Sequence, residues 1–208
     1  DFNVSVGKNA LTSNTTASYN TAVGYQAGYT NTTGDGLTAI GFQSLLSNTT
    51  GTQNTAQGYK ALYANTTGSY NTGLGFQALT ANTTASENVG VGYKTGFSTT
   101  TGNLNTFVGR LAGYSATTAT ENTFVGTASG YSMTTGSKNT ILGAYNGNAG
   151  GLDIRTSSNY IVLSDGDGNP RFYFASANSF HPGIQYLDGN NAYFISTASA
   201  GYRFNNAA

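Results

Sequence analysis

The sequence predicts an all-β fold: a repeat β-solenoid or β-roll of 17-residue coils, followed by a small hairpin-rich C-terminal module. Three observations predict it. Glycine recurs every 17 residues over nine copies without a slip, the stretches around it alternate polar and apolar residues, and Asn-Thr-Thr turn segments separate them. Helices do not fit this pattern, because nearly every repeat carries at least two glycines and several β-branched residues.

The repeat is anchored by a glycine column, with an asparagine four residues before most of the glycines. Glycine at one register of every coil marks backbone that turns sharply or is approached closely, and stacked asparagines can hydrogen-bond along a rod. We therefore interpret both columns as structural. The glycines are Gly7, Gly24, Gly41, Gly58, Gly75, Gly92, Gly109, Gly126 and Gly143; the asparagines are Asn3, Asn20, Asn54, Asn71, Asn88, Asn105, Asn122 and Asn139, with Leu37 as the exception.

The second half of each repeat has a small residue, then either leucine or a glycine–aromatic pair, and then a turn. Seventeen residues per repeat predict about two short strands and two turns, with neighbouring coils about 4.8 Å apart. Nine coils over residues 1–151 then give a rod about 40 Å long. Five turn asparagines also match the glycosylation sequon, which the repeat already explains: Asn14, Asn31, Asn48, Asn65 and Asn82.

Composition argues against several classes of function. Eight basic and eight acidic side chains give a net charge of zero, so we expect no nucleic-acid binding. No apolar run is long enough to span a membrane, and there is no cysteine for disulfides or zinc. Asp35, Glu87 and Glu121 lie in different coils, so we expect no paired acid–base site, no enzyme activity and no cofactor. A chain that opens at Asp1 predicts a fragment or a processed product.

The apolar content of each coil is low. About one Val, Ile or Leu, one aromatic and a few alanines per coil are too little to offset the ordering of 17 residues. We expect the missing burial to come from further copies of the chain, bundled in parallel about the long axis, with the aromatic after the anchor glycine as the seam. Spacing alone leaves two chains and three chains both open.

The C-terminal module is predicted over residues 152–208, where the 17-residue column ends. Residues 160–163 and 171–174 flank a turn and predict a hairpin, and residues 188–195 predict a second one. Asp165, Asp167 and Asn169 have the spacing of a calcium loop but lack its later glycine and glutamate. We interpret them as a tight turn, with a metal site as the weaker alternative, and lone His181 as a turn residue.

Two runs of the repeat resemble known fibrous proteins. Residues 20–27, Asn-Thr-Ala-Val-Gly-Tyr-Gln-Ala, resemble the head repeat of trimeric autotransporter adhesins. Residues 71–84, Asn-Thr-Gly-Leu-Gly-Phe-Gln-Ala-Leu-Thr-Ala-Asn-Thr-Thr, are similar to repeats of bacteriophage tail-fibre proteins, and residues 159–166 are similar to a module that follows such repeats. The resemblance covers residues 1–151 and implies a homotrimer of left-handed parallel β-rolls about a three-fold axis.

The resemblance also implies a function. The expected role is a structural and adhesive segment of a bacteriophage tail fibre on an extracellular virion, which presents host-receptor binding surfaces. Its expected partners are other tail or fibre proteins and a host cell-surface glycan or protein. Surface Tyr and Asn suit sugar recognition, and we expect receptor contacts around Tyr186, Tyr193 and Tyr202.

Two alternative functions stay open. One is the head of a trimeric adhesin on a bacterial cell surface, which would use the same rod. The other is an ice-binding β-solenoid, in which stacked Thr-Thr pairs would form a flat array along one face.

Overall fold

The computed structural model describes residues 2–175 and, as strand backbone, residues 179–181. The described residues are all-β and contain no helix, which confirms the β-solenoid prediction. Nine three-residue strands recur at 17-residue intervals and pair in parallel, each residue i opposite residue i+17. They are β1 (Val4–Val6), β2 (Thr21–Val23), β3 (Thr38–Ile40), β4 (Thr55–Gln57), β5 (Thr72–Leu74), β6 (Val89–Val91), β7 (Thr106–Val108), β8 (Thr123–Val125) and β9 (Thr140–Leu142).

Each coil has one strand, so the expectation of two strands per coil is wrong. The reason lies in the backbone after the anchor glycine, where residues such as Gln43 (φ 54°) and Leu45 (φ 49°) adopt the left-handed conformation. A strand cannot continue through such residues. Their peptide groups still pair from coil to coil: the Leu45 N–H donates to the Ala61 carbonyl at 3.1 Å. The second half of the coil is therefore a stacked turn.

The core is a narrow column inside the coils, filled by the strand residue in some coils and by the turn residue in others. The second residue of each strand points inward and is Ala or Gly from β2 to β6, then Phe107, Phe124 and Ile141 in β7 to β9. Leucines of the stacked turn fill the space beside the small residues, and glycines make room beside the large ones. The buried turn leucines are Leu11, Leu45, Leu62 and Leu79, and the turn glycines beside the phenylalanines are Gly96, Gly113 and Gly130.

The anchor glycines have both properties that the sequence predicts. Gly92 has a φ of 134°, which lies in a region that only glycine adopts readily. A Cβ added to Gly92 would lie 2.6 Å from the carbonyl oxygen of Gly109, its equivalent in the next coil. Glycine is thus required at the anchor position for two reasons, the backbone conformation and the close stacking of successive coils.

The asparagines before the anchor form a buried ladder that links side chain to backbone. The Asn71 Nδ2 donates to the Ala85 carbonyl at 2.8 Å, and the Asn71 Oδ1 accepts from the Asn88 N–H at 3.0 Å. Leu37 interrupts the ladder, and the Nδ2 of Asn20, one coil before it, is buried without a hydrogen-bond partner among the described residues. Each asparagine therefore satisfies backbone groups that the coil itself leaves unpaired.

The sheet continues past residue 151, but the repeat length changes. The further strands are β10 (Asn148–Ala149), β11 (Leu152–Asp153), β12 (Ile161–Ser164), β13 (Pro170–Ala175) and β14 (Ser179–His181). Strand β12 pairs in parallel with β9 at a spacing of 21 residues, and the four extra residues are accommodated in a hairpin of β10 and β11. Strands β12 and β13 form the antiparallel hairpin predicted for residues 160–174, and β14 pairs with β13, so His181 ends a strand rather than lying in a turn.

Candidate functional site

The principal candidate site is an apolar face that runs along the outside of the parallel sheet. It consists of two columns on either side of the anchor glycines. One column is the third residue of each strand, and the other is the aromatic after the glycine. The members are Val6, Val23, Ile40, Leu74, Val91, Val108, Val125, Leu142 and Leu163, together with Tyr25, Phe42, Tyr59, Phe76 and Tyr93; Gln57 is the polar interruption.

The five aromatics of the apolar face stack on one another along the rod. Their ring centroids are 5.0–5.3 Å apart and the planes are inclined by 6–18°. A second ladder, Phe97, Tyr114 and Tyr131, follows the stacked turn with centroids 5.0 Å apart. Each inner ring has both faces covered and presents only its edge. Stacking of a sugar on these inner rings, which the sequence suggested for surface tyrosines, is therefore blocked.

The apolar face is large for a single chain. Aromatic side chains span about 150–250 Å² each, so rings that are 40–44% exposed leave on the order of 80 Å² each open to solvent. With the aliphatic column, the face exposes on the order of 900 Å². The largest apolar patch of a typical monomer is about 300–600 Å², and one partner of a standard interface buries about 800 Å². A face of this size has the dimensions of a protein–protein interface.

The two long edges of the apolar face differ in charge. Lys60 and Lys94 lie on the edge beyond the aromatics, and Arg110, which takes the aromatic position of its own coil, places its guanidinium 5.9 Å from the Tyr93 ring. The opposite edge is the column five residues before the anchor glycine, which carries Glu87, Glu121 and Lys138 beside the exposed Tyr19, Tyr70 and Leu104. The face is therefore bordered by a basic edge and by an acidic edge on which two glutamates and one lysine leave one net negative charge.

Asp165, Asp167 and Asn169 form a tight turn between β12 and β13. The Asp165 Oδ1 accepts from the Asn169 N–H at 2.9 Å and the Asp167 N–H at 3.1 Å, and Arg171 Nε donates to Oδ2 at 2.8 Å. The Asn169 N–H, with Arg171 and the Asn169 side chain, lowers the pKa of Asp165 to about 2. This arrangement favours the turn interpretation, because a cation would have to displace the Arg171 guanidinium.

The turn asparagines form a second buried ladder, and here the side-chain amides bond one another. Asn48 Nδ2 donates to Asn31 Oδ1 at 2.9 Å, and Asn65 Nδ2 donates to Asn48 Oδ1 at 2.8 Å. Four of the five sequon asparagines, Asn31 to Asn82, are buried, so the folded rod does not offer them for glycosylation. The ladder ends where Thr99 takes the next position, and Asn82 Oδ1 and Thr99 Oγ1 are buried without partners among the described residues.

The Thr-Thr pairs of the turn divide into two columns with different roles. The first threonine of a pair donates its hydroxyl to a carbonyl of the next coil, as Thr49 does to Thr66 at 3.1 Å. The second is exposed in each of the eight coils that have such a pair, in a single column: Thr16, Thr33, Thr50, Thr67, Thr84, Thr101, Thr118 and Thr135.

Several other predictions concern sites that the described residues bear on only in part. The proposed receptor residues Tyr186, Tyr193 and Tyr202 lie outside the described residues. Within residues 2–175 and 179–181, no three His, Cys, Asp or Glu side chains come together as a metal site. The same part of the chain has no helix long and apolar enough to cross a membrane.

Searches of protein-family models, curated proteins and solved structures find no match to this chain.

Sequence reasoning found the aromatic column but did not assign the aliphatic one to the surface. The signal was present in the strands: the middle residue is Ala or Gly in five consecutive strands, and these small inward residues flank larger outward ones such as Ile40 and Leu74. The alternation of a strand places its first and third residues on the opposite side from its second. The column before the anchor glycine therefore had to face outward.

Proposed function

We propose that this chain is a structural and adhesive segment of a bacteriophage tail fibre, a homotrimeric rod that presents host-receptor binding surfaces. The observation that carries the proposal is the apolar face, whose aliphatic column runs along the described coils with Gln57 as its polar interruption. A rod that exposes on the order of 900 Å² of apolar surface along its length is suited to side-by-side assembly with copies of itself. The resemblance of the repeat to tail-fibre sequences supports three copies and an extracellular virion.

The charged edges support a parallel assembly. A rotation axis along the rod brings the basic edge of one chain against the acidic edge of its neighbour at the same height. Glu87 of the acidic edge and Lys94 of the basic edge belong to the same coil. An antiparallel pair would instead oppose edges of like charge. Parallel, in-register chains are therefore the arrangement that the charge pattern favours.

The assembly is tested by native mass spectrometry with a matched pair of variants. Three chains of 21.4 kDa give a complex of about 64 kDa. Val108→Asp places a carboxylate in the apolar face and is expected to abolish this complex, because burying an unpaired charge costs several kcal/mol. Thr101→Asp adds the same charge in the exposed turn column and is expected to leave the complex intact. A wild-type chain that is a folded monomer of 21.4 kDa would contradict the proposed assembly.

The adhesive role is tested by attachment of the fluorescently labelled complex to a panel of bacterial strains. We expect attachment to a restricted set of strains, as receptor recognition requires. Removal of residues 152–208 is expected to abolish attachment if the receptor contacts lie in the C-terminal module, and unchanged attachment would place them on the rod. A complex that attaches to none of the strains would count against the adhesive role. A bacterial surface adhesin with the same rod is the alternative, distinguished by the source of the gene.

One observation favours a second candidate, an ice-binding solenoid. The eight exposed threonines of the turn form an unbroken column at one register. Against it, the neighbouring threonines use their hydroxyls for backbone carbonyls, so only a single column is free rather than a two-dimensional array. Thermal hysteresis at sub-millimolar protein would support this candidate, and its absence would remove it.

A further inference from the structure

The ninth coil, between β9 and β12, differs from all earlier ones by a hairpin that leaves the rod. In the earlier coils, the turn threonine donates its hydroxyl to a carbonyl 17 residues later, as Thr117 does to Thr134. The Thr134 hydroxyl instead donates to the Arg155 carbonyl, 21 residues later. The added residues form strands β10 and β11, which project from the rod between Gly147 and Ile154. The Ile154 N–H donates to the Gly147 carbonyl at 2.8 Å. This hairpin is the one interruption of the repeat among the described coils.

The hairpin is held in one position by the core beneath it. Tyr145 is fully buried and donates its hydroxyl to the Leu152 carbonyl at 2.7 Å. Leu152 and Ala149 pack against the core cluster, and a Cβ at Gly147 would lie 3.0 Å from the Met133 sulfur. Burial and the nearby Asp153 carboxylate raise the pKa of Tyr145 still further above neutral. The hairpin is therefore a fixed wall rather than a loose loop.

This wall encloses an open groove of about 390 Å³ against the side of the rod. Ser115, Ser132 and Thr134 line it from two successive coils, and Asp153, Arg155 and Thr156 line it from the hairpin and the residues after it. The volume is at the lower end of the range of about 300–1,000 Å³ for small-molecule sites. The equivalent serines of earlier coils, such as Ser98, have the same place in the repeat but no hairpin beside them.

The groove is polar but carries no net charge. Arg155 binds Asp153 through two parallel hydrogen bonds, 3.0 Å from Nε to Oδ1 and 2.8 Å from Nη2 to Oδ2. The pair is about half exposed, and the guanidinium retains further N–H donors beyond those given to Asp153. Within the described residues, the hydroxyls of Ser115, Ser132 and Thr156 donate to no protein acceptor. The lining thus offers donors and acceptors at close range, with the ionic charges already matched.

We propose that this groove binds a neutral sugar unit of a surface glycan. Sugar hydroxyls both donate and accept, and they fit a lining of serine and threonine hydroxyls beside a fixed Asp–Arg pair. An anionic sugar would compete with Asp153 for the guanidinium, which makes it the poorer ligand. The Phe97–Tyr114–Tyr131 ladder ends one residue before Ser132, so Tyr131 has one ring face that no described ring covers. This inference rests on the proposed adhesive function and assigns its ligand class to one site.

Saturation-transfer NMR with the intact chain tests the inference. The probes are the methyl glycosides of glucose, galactose, mannose and N-acetylglucosamine, with glucuronic acid and N-acetylneuraminic acid as the anionic set. We expect transfer to at least one neutral glycoside. Ser132→Tyr fills the groove and is expected to reduce this transfer at least about tenfold, and Arg155→Lys, which keeps the charge but loses the fork, is expected to reduce it as well.

Ser98→Tyr is the matched control, because it makes the same change in the same column outside the groove and is expected to retain full transfer. Loss of transfer in the Ser98 variant as well would overturn the assignment to this groove. So would transfer to no neutral glycoside, to anionic sugars alone, or transfer that Ser132→Tyr leaves unchanged. The two proposals can fail separately. A complex of about 64 kDa that attaches to cells but binds no glycoside in this groove overturns the groove assignment and leaves the proposed function in place.

Discussion

At the scale of single residues, the fold depends on positions where the backbone admits few side chains. The anchor glycines combine a φ near 130° with direct stacking on the carbonyl of the next coil. By contrast, leucine, glutamine and lysine occupy left-handed positions elsewhere in the coil, as at Leu62 and Lys60, where φ is 50° and 52°. The sequence pattern therefore reveals a glycine requirement only where conformation and close approach coincide.

Gly92→Ala tests this requirement. The new methyl group would lie 2.6 Å from the Gly109 carbonyl oxygen at a φ that alanine disfavours, so we expect a loss of at least about 3 kcal/mol in unfolding free energy. Urea denaturation followed by circular dichroism measures it. Gly166→Ala is the control, since nothing lies within 4 Å of its added Cβ, and we expect a change below about 0.5 kcal/mol. Equal urea midpoints for the two variants would show that the close stacking is not required.

The Asp165 carboxyl gives a pH dependence at the same scale. Its pKa in the folded chain is about 2, below the value of about 3.9 for an unperturbed aspartate. Because the folded pKa is the lower one, the stabilisation is present above about pH 4 and is lost as the pH falls through about 2. Carbon-13 NMR titration of the carboxyl is expected to give a midpoint near 2, and Arg171→Gln is expected to raise it. A midpoint near 3.9 would contradict the turn geometry.

At the scale of the element, the coil keeps its core volume by exchanging large and small residues between strand and turn. Leu62 of the turn packs over Gly73 of β5, whereas Gly96 of the turn lies against Phe107 of β7. The two arrangements have the same backbone, since φ is 50° at Leu62 and 54° at Gly96. The repeat therefore permits a swap of core residues without a change of fold.

A double-mutant cycle tests this exchange. Phe107→Ala alone leaves a cavity and is expected to cost about 3–5 kcal/mol, and Gly96→Leu alone overpacks the core and is expected to cost about 1–3 kcal/mol. The combined variant reproduces the Leu62 arrangement, with leucine in the turn and alanine or glycine in the adjoining strands. We expect it to be more stable than the sum of the single changes by about 0.5–3 kcal/mol. Additive losses in urea unfolding would show that the two positions do not share the same space.

At the scale of the whole molecule, the sequence predicted the solenoid and its period, because a repeat without insertions makes each coil a copy of the last. It overestimated the number of strands, because residue type does not reveal that Leu45 and Gln43 adopt the left-handed backbone conformation. It placed the end of the regular repeat near Gly151 but not the groove. That site depends on where a hairpin of four extra residues folds back, which no period describes.

The coil-to-coil hydrogen bonds also determine how the rod carries mechanical load. The N–H of Thr38 donates to the Asn54 carbonyl and that of Thr55 to the Asn71 carbonyl, so the bonds lie along the long axis, one set for each step. A tether pulled at its two ends loads these sets in series, and each carries the full force. Extension then proceeds by release of one coil after another from the weakest junction, with the chain lengthening in equal increments. Such a rod yields gradually under tension instead of breaking at a single threshold.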